Sequence, residues 1–218
     1  MIPFPPPALV WPKDPTTGGL VTKWHVYACP NLDRDRELAE LVATAQQVAE
    51  KAAPGCMVPV EPAWLHATVH MIDRPASSLS ERDVSEFALS LARELGGLAP
   101  FTITARAAMA TTGGILLDLD GDEPGGPWQL LTDVVGEVVS GHFGPDALKY
   151  GVHPPHISAG YCAVQTDSGP VQSALRRARI APAAFTVDQV HILEVRQHAA
   201  EHRYTWNTAT AIPIPLGG

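Results

Sequence analysis

The chain has 218 residues, 45% hydrophobic and 17% charged, with a net charge of −8. That length can bury a sizeable core, that composition excludes disorder across the body, and no apolar run approaches the roughly 18–20 residues of a membrane span. Only 15 Lys and Arg are present, scattered apart from RRAR at 176–179, so the basic stripe needed to grip long nucleic acid is missing.

Residues 1–20 form a Pro-rich arm without the basic region, long apolar stretch or cleavage site of a signal peptide. Three thiols, Cys29, Cys56 and Cys162, make an odd count with no CxxC pair, and a cytoplasmic location is expected. KWHVYAC (23–29) alternates like a strand, with His25 and Tyr27 on one face and Trp24, Val26 and Ala28 on the other. Residues 32–53 carry apolar side chains at helical spacing, with Asp33 and Asp35 where the helix dipole favours negative charge.

CMVPVEP and WLHATVHMI read as strands, and a helix follows through 78–98, with Ser80 and Asp83 as its cap signal and Gly96 as its stop. FTITARAAMAT and GGILLDLDG predict a hairpin turning at TTGG, and PWQLLTDVVGEVVSGHF predicts another helix. KYGVHPPHISAGYCAV contains a further strand. A short helix around VQSALRRARI comes next, with Arg176, Arg177 and Arg179 as its solvated face, and the strands FTVDQVHILEVR and RYTWNTATAIPI close the chain.

The two halves rhyme. In each, an apolar strand bearing His-x-Thr or His-x-Ser leads into a helix and then more strands, the motifs lying about 90 residues apart. The expected fold is α+β: residues 21–218 as a single bilobal domain, two pseudo-symmetric lobes, each an antiparallel sheet with helices outside, facing across a central cleft.

The motifs are HATV, with His66 and Thr68, and HISA, with His156 and Ser158. Strand residues i and i+2 lie roughly 7 Å apart on one surface, so each motif presents an imidazole beside a hydroxyl. Opening a cyclic phosphodiester needs one group to take a proton from the attacking water and another to protonate the departing oxygen. Histidine serves both tasks near neutrality, and hydroxyls can donate to the non-bridging oxygens. His70 shares the His66 face on an unbroken strand. A metal pair at i and i+4 belongs on a helix, however, since on a strand those positions stand roughly 13 Å apart. His70 is therefore expected to be structural or at the cleft rim, and no metal or cofactor is expected.

Set on strands in two similar halves, HATV and HISA resemble the two-histidine (2H) phosphoesterase superfamily, which includes 2′-5′ RNA ligases and 2′,3′-cyclic nucleotide phosphodiesterases. The resemblance extends over roughly residues 23–216: WHVYACP looks like the family's first strand, the segment 101–120 like its central hairpin and the segment 190–216 like its closing strands. It implies metal-independent phosphodiester chemistry, with His66 and His156 as acid and base and Thr68 and Ser158 as phosphate ligands. Many relatives carry basic residues before the second motif. Here Lys149 is the only nearby cation, with His153 and two prolines intervening.

Tyr27 and Tyr161 are candidate ligands for base or phosphate, with Tyr150 and His153 behind them. The expected activity is hydrolysis of 2′,3′-cyclic phosphates of nucleotides or RNA ends, with reversible 2′-5′ ligation as an extension. The partner is a small cyclic nucleotide or RNA terminus, with neither extended nucleic acid nor membrane. The rival reading is a non-catalytic module that binds nucleotides or RNA ends.

Overall fold

A computed structural model describes residues 1–13, 18–121, 123–148 and 154–217. Lys149, Tyr150 and His153 lie outside the described residues. The first strand, β1 (Thr22–Ala28), leads into α1 (Arg36–Ala52), which buries Leu38, Leu41, Val42, Ala45 and Ala49 as a single stripe. After β2 (Met57–Pro59) and β3 (Ala67–Pro75) comes α2 (Glu81–Leu95). The start of α2 is a reciprocal cap, in which Asp83 N–H donates to Ser80 Oγ (3.2 Å) and Ser80 N–H donates to Asp83 Oδ2 (2.8 Å).

Strands β4 (Phe101–Ala110) and β5 (Gly114–Asp120) form the expected hairpin, closed where Thr111 N–H donates to Gly114 O at 2.8 Å. Gly114 has φ +156°, and a Cβ there would lie 2.1 Å from the carbonyl oxygen of Gly160, so no other residue fits. The helix α3 (Pro127–Phe143), β6 (His156–Cys162) and α4 (Ser168–Ala178) follow, and Arg176, Arg177 and Arg179 are exposed as expected.

The last two expected strands are each divided. Residues 185–196 form β7 (Ala183–Val187) and β8 (Gln189–His198), which part at Asp188 and lie far apart in the sheet. Residues 203–214 form β9 (Arg203–Thr205) and β10 (Ile212–Pro215), separated by a turn in which Asn207 Oδ1 accepts from Ala209 N–H (3.0 Å). Two prolines in β10 are tolerated because it is an edge strand.

All the pairings are antiparallel, in the order β10-β8-β1-β3-β6-β5-β4-β7, with β2 also on β6 and β9 on β8. The α+β architecture of two antiparallel halves is as expected, and the two halves are continuous. They join between β3 and β6, where the register has one pair, Ala67 opposite Ile157. Chain order crosses the halves: α1 and α4 pack on the β6–β7 side, while α2 and α3 pack on the β10–β3 side. The main core lies between the sheet and these helices, and Val26 and Ala28 belong to it.

A smaller cluster lies on the other face of the sheet. Tyr27, Leu193, Val195 and Trp206 form it, with Trp11, Trp64 and Tyr204 packed around them. Burial raises all three thiols, Cys29 to about 12, so none is a ready nucleophile. Among the described residues no helix is long and apolar enough to cross a membrane.

Candidate active site

Ala67 and Ile157 are the middle residues of the two motifs, both fully buried and turned into the core. In an antiparallel ladder this pairing sets His66 opposite Ser158 and Thr68 opposite His156, all four on the other face. The two imidazoles then occupy a diagonal, where Cα atoms stand roughly 7–8 Å apart. All four side chains line one cavity of about 530 Å³.

Each ring is held by the same device. His66 Nδ1–H donates to the carbonyl of Trp64 at 2.8 Å, and His156 Nδ1–H donates to that of Pro154 at 3.0 Å. A carbonyl can only accept, so each Nδ1 must carry the proton. In the neutral ring, Nε2 is left as a lone pair.

Both motifs are followed by a β-bulge. On β3, Tyr27 pairs with Thr68 and Val26 with His70, leaving Val69 as the extra residue; on β6, Leu116 pairs with Ser158 and Ile115 with Gly160, leaving Ala159. The Ala159 carbonyl is pinned by Gln46 Nε2 (2.9 Å) and the Val60 N–H (3.0 Å). A bulge reverses the alternation, so i+3 rather than i+2 continues the cleft face. This corrects the face read for His70, which does not share that of His66, while the structural role expected of it holds. Its Nε2–H donates to Thr132 O in α3 at 3.0 Å, a structural role. The same rule brings Tyr161 into the cleft beside Ser158.

Tyr27 stacks on His66, with centroids 4.0 Å apart and planes 13° apart, and Trp206 meets the imidazole edge-on at 5.4 Å. His66 is 8% exposed, and burial pulls its pKa from 6.5 to about 4; the Trp64 carbonyl opposes that shift, and the charge on His156 adds to it. Burial raises the Tyr27 phenol well above its usual range, against a hydrogen bond with the Thr68 side chain. Tyr161 is pushed up to about 12 by burial, against a hydrogen bond with Ser158. Both phenols therefore stay protonated, and each sits beside one motif hydroxyl.

No Lys, Arg, Asp or Glu is among the described residues lining this cavity. Lys23 is paired with Asp73. Arg203 borders a small side pocket of about 40 Å³ next to His66 and faces Glu61 at 4.0 Å, with Glu201 as its closer partner.

The sequence singled out His66, Thr68, His156, Ser158, Tyr27 and Tyr161, and the fold brings them all to this cavity. Sequence reasoning missed Trp206 and Tyr204, and it left the arm residues Phe4 and Trp11 without a role. The available signal was tryptophan usage. Of the five in the chain, Trp11, Trp64 and Trp206 all gather in the cluster on this face.

The model of the 2′-5′ RNA ligase superfamily matches residues 35–199. No curated protein matches the chain in sequence. Among solved structures, a Thermus thermophilus protein is 17% identical, with 90% of this chain and 98% of that one covered and a TM-score of 0.60. Escherichia coli LigT without ligand is 14% identical, covering 92% and 100% of the two chains, with a TM-score of 0.59. LigT complexed with 3′-AMP gives 15% identity, coverage of 90% and 99%, and a TM-score of 0.54. At such identities these likenesses speak for the fold, while the family match spans most of the chain. The chain belongs to the 2′-5′ RNA ligase superfamily, the two-histidine phosphoesterases.

Proposed function

We propose that the chain is a phosphodiesterase that opens 2′,3′-cyclic phosphates of nucleotides or RNA ends without a metal. The observation that carries this reading is the antiparallel pairing of two His-x-hydroxyl motifs about Ala67 and Ile157, with both rings tethered through Nδ1 and sharing one cavity. E. coli LigT has been crystallised with 3′-AMP, a nucleoside monophosphate, which supports reading this cavity as a nucleotide site.

The asymmetry of burial divides the labour. His66 is neutral at pH 7 and acts as the base, its Nε2 taking a proton from water as that oxygen bonds to phosphorus. The anionic phosphodiester beside this ring opposes the effect of burial and raises its basicity. His156, nearer solvent, gives a proton to the ribose 3′ oxygen, whose bond to phosphorus breaks, and a 2′-phosphate monoester leaves. Thr68 and Ser158, backed by Tyr27 and Tyr161, donate to the non-bridging oxygens, where negative charge gathers. With a ribose 5′-hydroxyl in place of water, the same steps form a 2′-5′ linkage.

The test is incubation with 2′,3′-cyclic nucleotides in EDTA, scored for monophosphate across pH. Turnover with a bell-shaped profile is expected. Activity abolished by EDTA overturns the metal-free mechanism, and tight binding without product makes the chain a non-catalytic module.

A further inference from the structure

Residues 1–13 precede the stretch matched by the family model, and they are fastened across the cleft. On the β5–β6 half, Ile2 N–H donates to Thr112 O (2.7 Å), Phe4 N–H to Cys162 O (2.9 Å) and the Met1 ammonium to Thr166 O (2.7 Å). On the β8 side, the carboxamide of Gln197 accepts from Trp11 N–H (2.8 Å) and donates to Leu9 O (3.0 Å). The ring of Phe4 stacks on Tyr161 at 4.8 Å and 16°, and Gly113 makes room for it, since a Cβ there would meet Phe4 at 3.2 Å. Trp11 lies on His25 at 5.6 Å, whose two ring nitrogens are buried without a hydrogen-bond partner among the described residues.

Phe4, Leu9 and Trp11 line the same cavity as His66 and His156. The arm thus takes up the outer face of Tyr161, where a further base would stack, and turns a trough into a chamber. Its volume of about 530 Å³ lies within the size range of single small-molecule sites. The described lining offers no Lys or Arg to neutralise more than one negative charge. A 2′,3′-cyclic mononucleotide without further phosphates carries one. Ile2 and Leu9 remain 39% and 43% exposed, apolar surface that a base can cover.

We propose that the N-terminal arm is the specificity element of this site, closing it around one singly charged, nucleotide-sized cyclic phosphodiester and shutting out a continuing polynucleotide chain. The inference rests on the reading of the cavity as a cyclic phosphodiesterase site.

The test compares a 2′,3′-cyclic mononucleotide with a tetranucleotide ending in the same cyclic nucleotide. Both are assayed for turnover by the full chain and for equilibrium binding to a turnover-blocked His156→Ala chain. Each measurement is repeated with Phe4→Ala and Trp11→Ala combined, and with residues 1–11 removed, folding being checked by thermal melting.

The arm-intact protein should prefer the mononucleotide by about 100-fold or more. Either arm change should raise the tetranucleotide at least about tenfold relative to it, and a 5′-phosphate on the mononucleotide should weaken binding. Equal use of both ligands by the full chain, an unchanged ratio after altering the arm, or no binding of either ligand overturns the proposal. The expected binding ratios without turnover would uphold the arm's role while refuting the catalytic reading.

Discussion

His66 lies under Tyr27 with Trp206 at its edge, whereas His156, tethered to the same kind of carbonyl, meets no such ring among the described residues. The position opposite Thr68 is Tyr27, and the position opposite Ser158 is Leu116; the position three past Thr68 is Met71, and three past Ser158 is Tyr161. Each half therefore supplies one phenol, but from a different strand position. A doubled backbone fixes where the rings stand, while the surroundings, free to diverge, decide which is dry. That difference can split two equivalent histidines into a base and an acid.

Removing either ring breaks the comparison most severely. His66→Ala and His156→Ala should each lower kcat about 10³-fold, because each deletes one proton transfer. The double variant should fall little further, as groups acting in one step are not additive. A loss confined to one histidine would mean that the halves do not cooperate.

Acid sharpens the same contrast through stability. In the unfolded chain His66 takes up a proton near 6.5, in the folded chain only near 4. Between those values the unfolded state holds more protons, so stability falls as pH drops and is unaffected above about 7. This ring's share of the loss is roughly 3 kcal/mol by pH 4. Urea melts from pH 7.5 to 4.5 measure it, and a His66→Asn variant should lose the dependence that this ring contributes.

Much of this was legible in the chain. Helical stripes, the Ser80–Asp83 cap and the TTGG turn are local, and they appear where the pattern put them. The divided strand at Asp188 left a trace, since the buried residues switch from odd positions at Phe185 and Val187 to even ones at Val190 and Ile192. The bulges at Val69 and Ala159 left none. An extra residue is defined by its partner strand, so strict alternation misplaced His70. The pairing of Ala67 with Ile157 is equally non-local, and the convergence of the motifs could be inferred only from their repetition.

Smaller effects separate the hydroxyls. Thr68→Ala and Ser158→Ala should each cost roughly 10²-fold in kcat with little change in KM, because a donor to a developing oxyanion matters most in the transition state. Thr68→Ser should restore most of its share. If KM rises while kcat holds, the hydroxyls merely seat the ground-state phosphate.

The finest test makes the two halves alike. Tyr27→Leu gives the first half the residue that faces the second, removing the ring stacked on His66. Water then reaches the imidazole, the cost of charging it falls, and its pKa moves up from about 4 toward 6.5. A base works only when deprotonated, so the acid limb of kcat/KM should shift to higher pH by about one unit, equivalent to about 1.4 kcal/mol. Nitrogen NMR of His66 reports the same titration directly. If the ring's pKa rises while the acid limb stays put, His66 is not the base, and the roles of the two histidines must be exchanged.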